Sequence, residues 1–201
     1  VFNKAVKEAH EYNFIGKNIL VVGSGTGGEL INFHIEGANV YGIEPFAAAL
    51  EISRLKVKSV GIPEENIKSC KAEDMDFEDS CFDFVYCYTV IEHVDDVSKS
   101  IQEMLRVTKP NGLIFLQAPD YRQMYEGHYK LPLPMFLPLW LNKIILILLG
   151  RPSNFLNSIN RVNSKSIKNI LTNHPVTSLA IHTQKEKRLS DRFILKLIFS
   201  I

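Results

Sequence analysis

Short apolar runs alternate with helical periodicity along the first 120 residues of the chain. Asn18–Val22 (NILVV) is a continuous apolar run, which is typical of a strand buried on both faces. In Val97–Val107 the apolar positions recur close to every 3.6 residues, which indicates a helix. This alternation is typical of βαβ units, and it predicts an α/β fold with a doubly wound, mostly parallel sheet and helices on both faces.

The same reading predicts the remaining elements. Predicted strands cover residues 18–22, 39–44, 67–70, 82–88, 113–117 and 176–182. Predicted helices cover residues 29–36, 47–60, 97–107 and 164–172, and the charged first 14 residues also read as helix. Residues 109–112 (KPNG) predict a turn before the fifth strand, and Ser164 is a candidate cap of the last helix.

After Pro119 the pattern loosens into a proline-rich apolar insertion at about residues 120–151. Its core, residues 131–149 (LPLPMFLPLWLNKIILILL), is broken by three prolines and Lys143. A spanning helix needs about 20 mostly uninterrupted apolar residues, so a transmembrane helix is not expected. The insertion follows the fifth strand, and we expect it to cap a ligand site at the carboxyl edge of the sheet. Peripheral contact with a membrane surface through residues 131–149 is the second interpretation.

Composition narrows the class of protein. A chain of 201 residues suits one domain, 1–201, that folds without disulfides or a metal. The 23 basic and 22 acidic residues nearly cancel, which argues against a nucleic-acid-binding surface. Cys70, Cys81 and Cys87 have no CxxC spacing and read as free thiols of a reducing cytosol. With no signal peptide at the first residues, we expect a cytoplasmic protein.

A glycine loop, residues 23–28 (GSGTGG), follows the first strand and precedes a helix. Gly23 and Gly25 let the backbone turn tightly and approach a ligand where a Cβ would collide. The helix that follows directs unpaired N–H groups at that ligand and favours a carboxylate or a phosphate. Alone, this spacing is a weak signal, and a glycine-rich connection without a ligand is the alternative. The candidate contacts are Gly23, Ser24, Gly25 and Gly27.

Glu44, followed by Pro45, ends the second predicted strand. A carboxylate at that position can accept hydrogen bonds from both hydroxyls of an adenosine ribose. Several cofactors contain this ribose, so Glu44 and the glycine loop together leave the cofactor open.

Four later segments occur in a fixed order and resemble those of class I S-adenosyl-L-methionine (SAM)-dependent methyltransferases of the small-molecule type. They are residues 72–77 (AEDMDF), 82–85 (FDFV), 90–94 (VIEHV) and 103–112 (EMLRVTKPNG). They resemble, in turn, the family's Ala-Glu-x-Leu-Pro-Phe segment, its fourth strand, its Val-Leu-Glu-His-Val segment and its Glu-x-x-Arg-x-Leu-Lys-Pro-Gly-Gly segment. The resemblance covers about residues 15–120 and implies a Rossmann-like fold with SAM as the cofactor.

The resemblance also implies roles for individual residues. Ala72 and Glu73 would border the adenine, while Cys87 and Tyr88 would line the methionine portion of SAM. The implied reaction moves a methyl group to a small-molecule, glycan or lipid-linked acceptor, with O-methylation preferred. His93 is the candidate base, because its ordinary pKa is close to neutral pH. Acceptor-side candidates are Asp120, Tyr121, Tyr125 and His128, with Arg122, Lys130, Lys143 and Arg151 for a phosphate group.

The chain departs from the family at two positions, and two other functions remain as alternatives. The family has an acid in the middle of strand one and often an Asp before Ala72, where this chain has Val21 and Lys71. A non-catalytic binding module would fit those departures. An NAD(P)-binding oxidoreductase would share the glycine loop and Glu44, although no Tyr-x-x-x-Lys pair is present. His93 and Cys87 could also serve only in packing.

Overall fold

A computed structural model describes residues 12–122, 126–172, 174, 176, 178–185 and 193–200. The strands are β1 Asn18–Val22, β2 Asn39–Ile43, β3 Ile67–Lys68, β4 Phe82–Tyr88, β5 Thr108–Pro119, β6 Ser178–Lys185 and β7 Phe193–Ser200. The α-helices are α1 Gly28–Ile35, α2 Ala47–Ser59, α3 Val97–Val107, α4 Leu139–Leu148 and α5 Ser164–Leu171, with short 3-10 helices at Glu64–Asn66 and Asn154–Ser158.

These strands form one sheet in the order β3-β2-β1-β4-β5-β7-β6. Strands β1 to β5 are parallel, and β7 runs antiparallel to both β5 and β6. In the centre, Ile19 of β1 lies between Val40 of β2 and Phe84 of β4. The predicted doubly wound, mostly parallel fold is therefore confirmed. Strand β1, which the glycine loop follows, is a central parallel strand of the sheet.

Each face of the sheet carries its own apolar core, because successive strand residues point to opposite faces. Leu20 and Val22 of β1 belong to one core, which α3, α4 and α5 cover with Met104, Leu146 and Ile167. The intervening residues of β1 belong to the other core. That core is completed by α1 and α2, through Leu30, Phe33, Leu50 and Val57. Strands β1, β2, β4 and β5 are thus held by packing on both faces, and β3 packs on one face through Ile67.

The predicted turn at residues 109–112 lies inside β5 rather than before it. Phe82 pairs with Thr108 and Phe84 with Leu113, so the β5 side of the ladder contains extra residues. This irregularity is a bulge, and its Asn111 has a positive φ of 62°. The turn residues therefore kink a long strand instead of starting a shorter one.

Other differences lie after β5. Helix α4 forms within the proline-rich insertion, immediately after Pro138, which occupies its N-cap. The cap of α5 is Asn163 rather than Ser164, because the Asn163 side chain accepts from the N–H of Ser166 in a capping box. Strand β7 was not predicted. The helix predicted for the first residues falls mostly outside the described part of the chain.

No helix in the described ranges is long and apolar enough to cross a membrane.

Candidate functional site

The glycine loop lies between the end of β1 and the start of α1. Gly23, Gly25 and Gly27 all have positive φ angles, of 64°, 53° and 84°. At Gly23 a Cβ would lie 2.5 Å from a methyl carbon of Val90, so the loop passes directly over the turn after β4. At Gly25 a Cβ would meet nothing within 4 Å, so its backbone borders open space. The loop therefore offers exposed backbone at the carboxyl edge of the central strand.

Glu44 follows β2 and holds this loop in place. One of its carboxylate oxygens accepts from the N–H of Gly25 at 2.9 Å, and the other accepts from the N–H of Phe46 at 2.9 Å. Its side chain is almost wholly buried. Phe46, which the sequence reading did not single out, is 75% exposed beside it, and Pro45 between them is exposed as well. The only sequence signal for Phe46 is an aromatic residue at the solvent-exposed start of a helix.

The segment after β3 is joined to the turn before α3. A carboxylate oxygen of Glu73 accepts from the backbone N–H groups of Asp95 and Asp96, and Ala72 is buried in the core. Lys71 forms an ion pair of 2.6 Å with the Asp95 carboxylate, in which both side chains are exposed. Glu73 thus has a structural task in addition to its predicted place beside an adenine.

Cys87 and Tyr88 end β4, on opposite faces of the strand. Cys87 is fully buried in the apolar core, and burial raises the pKa of its thiol. Tyr88 is 40% exposed, and its ring stacks on that of Tyr86 with 6.0 Å between centroids. The structure brings only Tyr88 of this pair to the surface of the carboxyl edge.

His93 lies in the turn between β4 and α3, and α3 begins only after the Asp96 cap. Burial, and secondly the nearby His128, lowers the pKa of His93 below its ordinary value. The imidazole is therefore neutral at physiological pH and able to accept a proton. The rings of His93 and His128 meet edge to face, with 5.2 Å between centroids.

The neighbouring Glu92 is an ionisable group that the sequence reading placed only inside a motif. Its side chain is 0% exposed, and burial raises its pKa to about 7. Neither Glu92 carboxylate oxygen, nor the buried hydroxyl of Tyr121, has a hydrogen-bond partner in another described residue. Glu92 also contributes to the raised pKa of Tyr121, so the two groups interact electrostatically. A carboxyl group in this setting exchanges a proton near neutral pH.

The insertion completes this polar cluster. The Nδ1 atom of His128 lies 2.7 Å from a carboxylate oxygen of Glu126, which is buried. The cluster therefore consists of Glu92, His93, Tyr121, Glu126 and His128. It gathers residues that follow β4 and β5, so it stands at the same edge of the sheet as the glycine loop.

The other predicted acceptor-side residues are distributed differently. Asp120 is buried and pairs with Arg122, whose Nε donates to it at 2.9 Å. Tyr125 lies outside the described residues. Lys143 is on α4 and Arg151 just after it, while Lys130 has a positive φ of 54° in the loop before them. Among the described residues, no group of three or more potential metal ligands is present.

A cleft of about 540 Å³ opens next to the polar cluster, with Tyr121 shared between the two. Its wall is apolar at Met135, Phe136 and Leu137. Arg161 adds positive charge, and Arg122 also lines the cleft but is paired with Asp120. A larger cleft of about 810 Å³ includes Asn18 and Phe82, the first residues of β1 and β4, so it belongs to the opposite edge of the sheet. The smaller cleft is therefore the better candidate for an acceptor.

Val21, where an acid is usual, is buried in the apolar core that contains Phe33 and Tyr86. The site thus has no carboxylate at this position, and Glu44 is the acid that holds the loop.

Residues 20–116 match the family model described as "Methyltransferase domain". A ubiquinone biosynthesis O-methyltransferase of Photobacterium profundum is 30% identical over 106 residues, which are 53% of this chain and 45% of that protein. A sterol 4-C-methyltransferase of Caenorhabditis elegans is 29% identical over 116 residues, 55% of this chain and 35% of that protein. The chain thus spans less than half the length of these relatives.

Solved structures share the whole fold at low sequence identity. A SAM-dependent methyltransferase from Mesorhizobium loti has a TM-score of 0.71 at 15% identity, over 100% of this chain and 98% of that one. A Haemonchus contortus phosphoethanolamine N-methyltransferase, in complex with phosphomonomethylethanolamine and S-adenosylhomocysteine, has a TM-score of 0.73 at 14% identity. That match covers 100% of this chain and 52% of the other.

Proposed function

We propose that the protein is a class I SAM-dependent methyltransferase that transfers a methyl group from SAM to a small-molecule acceptor. The match of residues 20–116 to the methyltransferase family model supports this proposal. The observation that carries this proposal is the contact between the Glu44 carboxylate and the N–H of Gly25, at the carboxyl edge of β1 and β2. In parallel α/β sheets, ligands bind at this edge. We further propose that one domain, 1–201, carries the whole site.

The residues present fit the cofactor. Backbone at Gly25 borders open space beside a buried carboxylate, as a ribose and an amino-acid group both require. The proposed contacts are Gly23, Ser24, Gly25, Gly27, Glu44, Pro45, Ala72, Glu73 and Tyr88, whereas Cys87 lies in the apolar core and is not among them. When bound, SAM supplies a methyl group that its sulfonium already activates. The chain's own task is then to align the acceptor and to accept its proton.

We assign proton acceptance to His93. Its lowered pKa keeps the imidazole neutral at pH 7, and its side chain is partly exposed at the edge where the acceptor arrives. His128 and the buried Glu126 stand beside it and can orient it. This arrangement suits a hydroxyl acceptor, whose proton must leave, and it supports O-methylation.

The proposed acceptor is lipophilic or lipid-linked, and it carries an anionic group. The cleft beside the cluster combines an apolar wall with Arg161, which can bind a phosphate or carboxylate, whereas the neighbouring Arg122 is already paired with Asp120. Two relatives are named for lipophilic molecules, ubiquinone and sterol. The proposal also includes a glycan-linked acceptor. We further propose a cytoplasmic location, which the three unpaired cysteines support.

Calorimetry with SAM and with NADH tests the proposal, and Glu44→Ala is the informative variant. Each charge-assisted hydrogen bond is worth about 1.5–3 kcal/mol, so SAM affinity should fall by more than about tenfold. Glu51→Ala, on the exposed side of α2, is the matched control and should bind SAM as the parent does. Because Glu44 also positions the loop, unfolding of each variant is measured in parallel, and Glu44→Gln keeps the side chain's shape.

Three outcomes separate the functions. Binding of NADH without SAM would contradict the proposal and favour an oxidoreductase. Binding of SAM without transfer to any pooled lipid, glycan or small-molecule extract would favour a binding module. Unchanged affinity in a folded Glu44→Ala would remove Glu44 from the cofactor site.

A further inference from the structure

Helix α4 exposes one apolar face. Trp140 is 63% exposed, Ile147 64% and Leu148 80%. We define the outer face as Phe136, Trp140, Ile144, Ile147, Leu148 and Leu149, all of which are large, apolar and exposed. Within the helix these residues recur at spacings of three and four, so they form a continuous stripe. A contiguous exposed apolar patch on a protein surface indicates a binding surface.

The opposite side of α4 is firmly packed. Leu146 is 0% exposed in the same core as β4 and β5, and Leu139 and Ile145 pack against that core. Asn142, also buried, donates to the carbonyl of Leu137. The helix is therefore anchored by one side, and its outer face is not the result of a poorly placed segment.

The segment that carries the outer face has charges of a single sign. The sequence contains no Asp or Glu from residue 127 to residue 185. Lys143 lies on α4, and Arg151 follows its end and is exposed. An apolar helix face bordered by basic side chains matches the boundary of an anionic bilayer, where acyl chains and negative headgroups meet.

We propose that the outer face of α4 inserts into the surface of an anionic lipid bilayer, with the helix in the plane of that surface. Ten residues of α-helix extend about 15 Å, which is half the thickness of the hydrocarbon core, so the helix lies on the membrane. Tryptophan is enriched at this depth in membrane proteins. In a symmetric pair of chains, Lys143 and Arg151 would border the same face of both copies, which disfavours self-association.

The location of the outer face gives this contact a use. Phe136 belongs to the outer face and also lines the cleft that holds Arg122 and Arg161. A bilayer that covers the outer face therefore lies at the mouth of that cleft. A lipid-linked molecule could pass from one to the other without crossing water.

The chain contains one tryptophan, Trp140, so its own fluorescence reports on the outer face. We expect a blue shift of this emission, together with sedimentation of the protein, on titration with vesicles of phosphatidylcholine and phosphatidylglycerol in equal parts. The double variant Ile144→Gln, Ile147→Gln keeps the probe and should lower partitioning by roughly tenfold or more. Leu55→Gln, at a 61% exposed position of α2, is the matched control and should change nothing.

Charge is tested separately. The double variant Lys143→Gln, Arg151→Gln should lower binding to the mixed vesicles by about fivefold for each charge removed, and vesicles of phosphatidylcholine alone should bind the parent weakly. No blue shift with either vesicle would overturn the proposal. A concentration-dependent shift without lipid would also overturn it, since it would show that the outer face binds another copy. Equal binding to both vesicles would overturn the requirement for anionic lipid.

Discussion

Around the glycine loop, buried carboxylates hold the backbone by hydrogen bonds, whereas helix α4 of the insertion is held mainly by apolar packing. Glu44 binds the N–H groups of Gly25 and Phe46, and Glu73 binds those of Asp95 and Asp96. In the insertion, by contrast, Leu133, Met135 and Leu146 enter the same core as β4. Hydrogen bonds from backbone N–H groups to fixed carboxylates define positions closely, as a constant cofactor requires. Packing can change with the side chains, which suits an acceptor that differs between relatives.

The largest effect is expected from Leu146→Ala. Loss of this wholly buried side chain should lower the free energy of unfolding by about 2–5 kcal/mol, because a cavity is left in the core. Leu148→Ala, two residues further along the same helix and 80% exposed, should change it by less than about 0.5 kcal/mol. Chemical denaturation of both variants measures the difference. Equal losses would mean that α4 does not pack as described, and the contrast between the two regions would fail.

An intermediate, pH-dependent effect is expected from Glu92→Gln. The folded protein holds the pKa of Glu92 at about 7, above the ordinary value of 4.5. The unfolded chain therefore loses this proton at lower pH than the folded one, so the stability of the parent falls as pH rises from about 4.5 to 7 and is level above. Gln cannot ionise, so the Glu92→Gln variant does not lose stability over this pH range.

We therefore compare the free energy of unfolding of Glu92→Gln with that of the parent at each pH. The difference in favour of the variant should be about 3 kcal/mol larger at pH 8 than at pH 5, because each pKa unit corresponds to about 1.4 kcal/mol. Unfolding curves at the two pH values measure this, with Glu51→Gln on exposed α2 as the control. A difference between variant and parent that does not depend on pH would show that Glu92 is ionised in the folded protein.

The same contrast explains what the sequence could predict. The bounds of β1, β4 and α3 agree with the prediction, because continuous apolar runs and a helical period are local signals. The glycine loop and Glu44 were also predicted together, because the ends of parallel strands share one edge. The interpretation of the insertion as a lid stays a prediction, although its inner residues prove to belong to the core.

Features that depend on distant residues could not be predicted. Helix α4 begins after a proline and has apolar residues on both sides, so its period is hidden in the sequence. The polar cluster of Glu92, His93, Tyr121, Glu126 and His128 joins residues up to 36 positions apart, and only the fold brings them together. The bulge at Asn111 looks like a turn in the sequence, because both use a residue with positive φ.

The smallest effect is expected from Lys71→Ala, which tests an exposed ion pair among the polar contacts around the glycine loop. The ion pair of Lys71 with Asp95 joins the same two segments as Glu73, but both of its side chains are exposed, so water and salt screen it. We therefore expect no measurable change in unfolding or in SAM affinity at physiological salt.

Glu73→Ala is the comparison for Lys71→Ala. It removes two hydrogen bonds that a buried carboxylate accepts, and it should lower the free energy of unfolding by about 2 kcal/mol or more. Denaturation and SAM calorimetry on both variants, at low and high salt, make the comparison. If Lys71→Ala weakens SAM binding severalfold while Glu73→Ala does not, the lysine contacts the cofactor. Lys71 would then do the work of the acid that class I SAM-dependent methyltransferases often have before Ala72.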